Sequence, residues 1–446
     1  MSVTGRFTYR CSGSQHGGWI GQSFKVPFAY VQLWGFPVPD ELAGADIDSD
    51  QEQGRLDTQH TDSEGNFILN PRVVSNPWQV RLFLSSRHQM VAPDGGTWKF
   101  TGVRVRVPDY TAQYRGESPR PVSRWSVARH LELRPGTEAI SPAREQQTPA
   151  VVATEWRPNV HITTACPDLQ QVEEYRGGMW ADACHIYRTI VLAIKKLLDL
   201  ELDPPAYSIL KPVDVYLQIF VDARRKIIFV TDGSVLLEDD LRSHLRAGDR
   251  GGISRTGEEG TVFHPRIWVV ASGTNQSEDV VLHEYGHHVH KCLVNVWASR
   301  EEALAFPSGG EHTGGVTHPA TAFGEAWANM FQCVVQDLDK FNYTGVTMDL
   351  RVVPRLDASF NNTSRDGVRD DGDRPNHEMC LSTFLVNVWQ EHGLYYIWKA
   401  THRYKPKNFL EFREAYINLL LEDGAMGKLD HFLQILRNNR LPVQRV

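Results

Sequence analysis

The chain is poor in cysteine, has no long apolar run and carries no basic tract, and each shortage removes a class of protein. Six cysteines in 446 residues (Cys11, Cys166, Cys184, Cys292, Cys333 and Cys380), none in a Cys-x-x-Cys pair, exclude a zinc ribbon and a dense disulfide scaffold, so free thiols are expected. No stretch of 18 apolar residues occurs, and no membrane span is predicted. The opening Met-Ser-Val-Thr-Gly-Arg-Phe-Thr-Tyr-Arg lacks an apolar core of signal-peptide length, which makes the cytoplasm the expected location as written. The sequon-like triplets at Asn275, Asn342, Asn361 and Asn362 mean little without a secretory signal. A net charge of −7 and a pI near 6.2, with no basic run interleaved with aromatics, argue against a nucleic-acid partner. What remains is a globular protein, 41% apolar and 23% charged, long enough for two or three domains.

Within that frame, residues 283 to 287 read His-Glu-Tyr-Gly-His. On a helix, His283 and His287 stand at i and i+4, so both imidazoles leave one face and can share one tetrahedral ion. Glu284 sits beside them, turned by about 100°, where its carboxylate can act as general base toward a metal-activated water. Chance would place such a pattern in roughly 4 of 100 chains with 18 histidines in 446 residues. The surroundings favour a helix. Ser277 is a good N-cap, and Glu278 and Asp279 put negative charge in the first turn. Val280, Leu282, Val289, Leu293 and Val296 offer apolar positions. Gly286 costs about 1 kcal/mol of helix propensity, which points to a close neighbour on its face. His288 and His290 are expected to pack or face solvent, with His290 sharing the face of His287. Upstream, Val262 to Val270 reads as a strand that Pro265 suits to a sheet edge, where an extended peptide can pair.

A catalytic zinc needs a third protein ligand. The metzincin pattern fails, because Leu293 stands where its histidine would be and His290 where its glycine would be. A glutamate on a later helix is available in Phe323-Gly-Glu-Ala-Trp-Ala-Asn-Met-Phe331, after a Gly/Pro-rich loop from Pro307 to Pro319 that lets the chain reverse. Glu325 is the expected ligand; Glu301, Glu302, Glu311, His312 and His318 are the other candidates. Asn329, one turn beyond Glu325, faces the same site and can accept from the outer N–H of a ligand histidine.

In joining His-Glu-x-x-His to a following helix that carries Glu325 and Asn329, the chain resembles the gluzincins, the thermolysin-like branch of zinc metallopeptidases, over roughly residues 205 to 335. That family usually has Asp where this chain has Asn329, and its two helices are closer in sequence in thermolysin. The resemblance implies a zincin-like domain, one catalytic Zn2+ on His283, His287 and Glu325, and Glu284 as general base. It also implies an oxyanion-stabilising Tyr or His from downstream, for which His377, His392, Tyr395 and Tyr396 are candidates.

Residues 1 to 108 read as β. Ala29, Val31 and Leu33 alternate with Tyr30, Gln32 and Trp34, and similar runs occur at Trp78 to Leu84 and Thr101 to Val107. Thr61-Asp62-Ser63-Glu64-Gly65-Asn66-Phe67 resembles the turn and strand of transthyretin-like, carboxypeptidase-regulatory-type domains; Asp62 and Gly65 are expected to make the turn and Phe67 to enter the core. Residues 109 to 165, rich in Pro and Arg, read as a linker wrapping over the catalytic part. Trp180, Cys184, Tyr187, Val191, Ile194 and Leu198 then mark an amphipathic helix. Val213 to Val221 and Lys226 to Thr231 are strand candidates. Helices are expected over Leu381 to Trp389, Phe409 to Leu421 and Leu429 to Leu436, and the acidic run Asp366 to Asp373 as a solvated loop, not a calcium site.

The expected architecture is α+β: an N-terminal β-sandwich (1–108), the linker (109–165) and a zincin-like domain with a helical C-terminal part (166–446). The expected activity is zinc-dependent hydrolysis of peptide or protein substrates. The alternatives are a binding or adhesion protein with a structural or inactive zinc site, and a zinc hydrolase of non-peptide amides or esters.

Overall fold

A computed structural model describes residues 3–10, 23–35, 55–70, 78–91, 97–106, 129–132, 150–156, 169–211, 213–218, 220–221, 227–228, 249–250, 253–254, 266–270, 278–294, 318–337 and 371–443. The chain divides into two compact units, Met1–Val191 with Pro212–Gln276, and Leu192–Lys211 with Ser277–Val446. No described helix is long and apolar enough to cross a membrane. Ser277, Pro265, Glu301, Glu302, Glu311 and His312 lie outside the described residues, as does most of the acidic run.

The first unit carries the strands: β1 (Val3–Arg10), β2 (Ser23–Lys25), β3 (Ala29–Gly35), β4 (Arg55–His60), β5 (Asn66–Leu69), β6 (Trp78–Val91), β7 (Thr97–Arg106), β8 (Arg129–Glu132) and β9 (Ala150–Trp156). In chain order helix α1 (Leu169–Asp199), which belongs to the second unit from Leu192 on, and the short α2 (Ala206–Ile209) of the second unit follow, then β10 (Val213–Gln218), β11 (Phe220–Val221), β12 (Ile227–Ile228), β13 (Asp249–Arg250), β14 (Ile253–Ser254) and β15 (Arg266–Val270) of the first. Two sheets hold most of them. One runs β2-β1-β5, with β9 pairing β1 in parallel; the other runs β15-β10-β7-β6-β3-β4, with β8 on β6. The sheets are therefore not confined to residues 1–108. β7 pairs β10 and β10 pairs β15, both in parallel, and two strands lie within 109–165. The described residues show these sheets without displaying a self-contained sandwich over 1–108. Among the described residues β15 ends its sheet and covers 266–270 of the strand expected over 262–270. Ala29, Val31 and Leu33 are buried, but so are Tyr30 and Gln32; β3 is an inner strand between β4 and β6, its side chains from 29 to 33 are buried on both faces, and its alternation is one of chemistry, not of exposure.

The turn between β4 and β5 follows from its side chains. Asp62 Oδ1 accepts from the backbone N–H of Glu64 and of Asn66, each at 2.8 Å. Thr61 Oγ1 accepts from Ala29 N and donates to Val26 O. Gly65 has φ +77°, and a Cβ there would lie 2.6 Å from the backbone oxygen of Phe7. Phe67 is buried and stacks on Phe7 with centroids 5.0 Å apart.

The second unit is helical. It contains α3 (Glu278–Val294), α4 (Pro319–Gln336), α5 (Glu378–His392), α6 (Leu394–Tyr404), α7 (Phe409–Glu422) and α8 (Met426–Asn438), with a 3₁₀ turn at Asp371–Asn376. The three expected helices lie inside α5, α7 and α8; α6 adds a fourth, set off from α5 by Gly393 at φ +77°. Cys184, Tyr187, Val191 and Ile194 of α1 are fully buried, in agreement with the apolar stripe. Cys184, Cys292, Cys333 and Cys380 are thiols. In α4, His318 caps the first turn by accepting from Ala320 N at 3.3 Å, Pro319 opens the helix, and Asp337 closes it in the left-handed region at φ 54°. The Asp337 carboxylate also pairs with Lys196, whose Nζ donates to Val335 O. Asn408 and Glu411 cap α7 reciprocally, Asn408 Oδ1 accepting from Glu411 N at 3.0 Å and Glu411 Oε2 from Lys407 N at 2.8 Å.

Helices α3 and α4 meet at Gly286. A Cβ there would lie 2.9 Å from Ala328 Cα, 3.1 Å from its oxygen and 3.2 Å from Phe331 Cβ, so the close neighbour expected from the helix-weakening glycine is the backbone of α4. At Gly324, on α4 itself, an added Cβ meets nothing within 4 Å among the described residues.

Two consequences can be measured by denaturant unfolding. Gly65→Ala, forced into positive φ against a backbone oxygen, should lose about 2–4 kcal/mol. Gly286→Ala should lose about 1–3 kcal/mol by wedging the helices, whereas Gly324→Ala should gain up to about 1 kcal/mol from helix propensity. Equal effects at Gly286 and Gly324 would refute the close-approach account.

Candidate metal centre

All the residues that follow belong to the second unit. His283 and His287 leave α3 on one face, as the i, i+4 spacing requires, with ring centroids 4.7 Å apart and planes near perpendicular. Across the Gly286–Ala328 approach, α4 delivers Glu325. Three atoms then converge: His283 Nε2, His287 Nε2 and Glu325 Oε2 are each 3.1 Å from the other two. They are the group among the described residues able to hold a metal ion. The side chains are shielded, with exposures of 5%, 20% and 14% in that order, which leaves His287 the most open.

The tautomer of His283 follows from its other nitrogen. His283 Nδ1 lies 2.7 Å from Asn329 Oδ1, which can only accept, so in the neutral ring Nδ1 carries the proton and Nε2 presents a lone pair to the triangle. Two imidazole nitrogens and a carboxylate oxygen at 3.1 Å suit a shared cation. Ligands at about 2.0–2.1 Å from one tetrahedral zinc stand roughly 3.3 Å apart, and two His with one carboxylate is a donor set of catalytic zinc. The residues present therefore fit Zn2+. The role expected for Asn329, accepting from the outer nitrogen of a histidine, is the geometry observed.

Electrostatics point the same way. Burial disfavours a charge on His283, yet the hydrogen bond and charge of Glu325, joined by Glu284 and Glu378, carry its pKa up to about 9. The carboxylates around this buried ring favour a positive charge on it. Glu284 is half-buried, directly follows His283, and is close enough to act on both His283 and Lys291. Burial lowers the Lys291 ammonium, with Glu284 and Glu325 opposing the shift.

The other histidines of α3 pack. His288 faces the Lys211 carbonyl, 3.0 Å from Nε2, and burial holds its pKa down at about 4. His290 stacks on Trp327 at 5.2 Å and meets Phe323 edge-on; burial, with the charges of His287 and Lys291, lowers it to about 3. Among the other third-ligand candidates, His318 serves as a helix cap. The oxyanion candidates have partners of their own. His377 accepts from Cys380 N as the cap of α5, His392 bonds the Tyr416 hydroxyl at 2.9 Å, Tyr395 lies against Lys399 and Tyr396 under Lys428. No one of the four is singled out.

Sequence reasoning passed over Glu378 and Ser382. Asn329 Nδ2 donates to Glu378 Oε1 at 3.3 Å and to Ser382 Oγ at 3.0 Å. Their spacing, i and i+4 at the start of a helix, was the signal on offer, and it is common to many capped helices.

Compared with known proteins, the chain matches no family model and no curated protein.

The pKa shifts define a stability profile for metal-free protein. His283 is raised from 6.5 to about 9, so its contribution is complete below about pH 6.5 and is lost as pH rises through 9. His288 and His290 are lowered, so theirs is complete above about pH 6.5 and is lost as pH falls toward 4 and 3. Metal-free protein should be most stable near pH 6.5. Added zinc, which needs neutral ligand rings, should stabilise increasingly as pH rises from 6.5 to 9. Thermal melts across pH with and without zinc check this; a zinc effect that shrinks with rising pH would refute it.

Proposed function

We propose that the chain is a zinc-dependent hydrolase of peptide bonds. The observation that carries the reading is the triangle of His283 Nε2, His287 Nε2 and Glu325 Oε2, 3.1 Å on each side, with the His283 proton held on the far nitrogen by Asn329. These three side chains would hold Zn2+. When bound, the ion lowers the pKa of water toward 7 and polarises a carbonyl. Glu284, next to His283 on the same helix, takes the proton of the attacking water on its carboxylate and passes it to the nitrogen of the leaving amine. Asn329 keeps the His283 ring turned toward the centre, and the α3–α4 packing shields it from bulk water, which strengthens each of these charges.

In this reading the helical unit that contains Ser277–Val446 is the catalytic, zincin-like part. The strands of the other unit, those of residues 1–108 among them, belong to a transthyretin-like β-sandwich, and the substrate is a peptide or protein. Support for the substrate class comes from the resemblance to gluzincins in the His-Glu-x-x-His helix and the helix bearing Glu325.

The test is zinc content by elemental analysis together with hydrolysis of a mixed peptide pool, on wild type, Glu284→Gln and Glu325→Ala. Wild type and Glu284→Gln should each hold one zinc, with Glu284→Gln losing about 10²–10⁴-fold or more of the cleavage rate, and Glu325→Ala should bind zinc far more weakly. Zinc retained by all three without cleavage would leave a structural-zinc binding protein; zinc-dependent hydrolysis of amides or esters but not of peptides would move the substrate class.

A further inference from the structure

The side chain that orients His283 is itself oriented from a third helix. Asn329 is buried, and its amide is nearly the same shape at both ends, so its orientation is decided by partners and not by packing. Two partners sit at one end, Glu378 Oε1 at 3.3 Å and Ser382 Oγ at 3.0 Å. Ser382 has a single hydroxyl proton, and it is committed: Ser382 Oγ donates to the backbone oxygen of Glu378 at 2.9 Å. Toward Asn329 the serine can therefore only accept, as Glu378 Oε1 does. Two acceptors at one end require the NH2 there and turn the amide oxygen to His283 Nδ1, 2.7 Å away. With the amide reversed, its oxygen would face the Glu378 carboxylate and its NH2 would face Nδ1. His283 would then have to accept there and carry its proton on Nε2, inside the ligand triangle.

We propose that Glu378 and Ser382 are positioning residues for the metal centre, acting through Asn329 to hold the His283 proton on Nδ1 and keep Nε2 free to bind the ion. The inference rests on the reading of His283, His287 and Glu325 as a zinc site. Helix α5 thus serves the centre without supplying a ligand. Its carboxylate stands one residue removed from the ring, with the neutral amide of Asn329 between them. The hydroxyl of Ser382 and the acceptor of Glu378 act together, because either alone leaves one amide hydrogen without its partner. Partners at this remove govern how well the ligands bind, and their loss weakens metal affinity about 10–100-fold.

The experiment compares wild type, Ser382→Ala, Ser382→Thr and Glu378→Ala. Zinc affinity is read by competition with a chromophoric chelator. Exchange of the His283 Nδ1–H proton with water is read by NMR in zinc-loaded, histidine-labelled protein, and circular dichroism monitors folding. The expected result is an affinity about 10–100-fold weaker in Ser382→Ala and Glu378→Ala, with the Nδ1–H proton exchanging faster, and near wild-type values in Ser382→Thr, which keeps the hydroxyl. A purely structural role would lower the melting temperature without moving the ring proton. Wild-type affinity and exchange in both alanine variants would overturn the inference and leave the zinc reading standing. Should Glu378→Ala fail to fold, Ser382→Ala decides by itself. A wild type that binds no zinc would overturn the zinc reading, and this inference with it.

Discussion

The close approach of α3 and α4 at Gly286 and Ala328 is the contact on which the candidate metal centre depends. Its three converging side chains come from two helices, two from α3 and one from α4, and side chains of fixed length can meet at 3.1 Å only if the backbones carrying them are close. Removing one side chain at the crossing achieves that: a methyl at Gly286 would press on the Ala328 backbone. The neighbours fill the space on either side. Tyr285 meets Phe331 edge-on at 6.0 Å, and His290 stacks on Trp327. The apolar burial around the crossing thus fixes ligand distances that polar contacts alone would leave loose.

Carboxylates give the candidate centre its charge preference, against the effect of burial. Carboxylates at Glu325, Glu284 and Glu378 act on His283 in a place shielded from water, where charges interact more strongly and an unbalanced group is costly. The arrangement therefore needs a positive charge. A proton on the ring satisfies it at lower pH; a divalent cation bound at the same atoms would compete with that proton. His288 and His290, on the same helix, behave oppositely because burial dominates at both and the charges acting on them among the described residues are cationic.

The polar network behind the ligands illustrates how buried hydrogen bonds specify one arrangement. From His283 through Asn329 to Glu378 and Ser382, each donor meets an acceptor, and the direction of every bond follows from the single proton of Ser382. Such a chain adds little net stability when complete, yet reversing any member leaves a buried polar group facing its like. In the other unit, the Thr61–Phe67 turn works similarly on a smaller scale, with one carboxylate, one hydroxyl and one glycine setting the path of the chain into β5.

How much of this was legible in the sequence depends on how far apart the cooperating residues lie. The pairing of His283 with His287 and of Glu325 with Asn329 could be read because a helix repeats every 3.6 residues. Gly286 could be read because a glycine inside a helix needs a reason, and Asp62, Gly65 and Phe67 because turn chemistry is local. The stripe on α1 and the helices α5, α7 and α8 were legible from apolar spacing. Only the tertiary structure decided that Ala328 is the surface Gly286 meets and that Glu378 and Ser382 stand behind Asn329. It alone decided that His290 stacks on Trp327, and that β7, β10 and β15 pair in parallel across more than a hundred residues of chain. A contact between distant segments imposes no spacing on either one, and a polar partner on another helix looks, in sequence, like any exposed serine or glutamate. Local periodicity determined which residues could meet, and the packing of one helix on another determined which of them do.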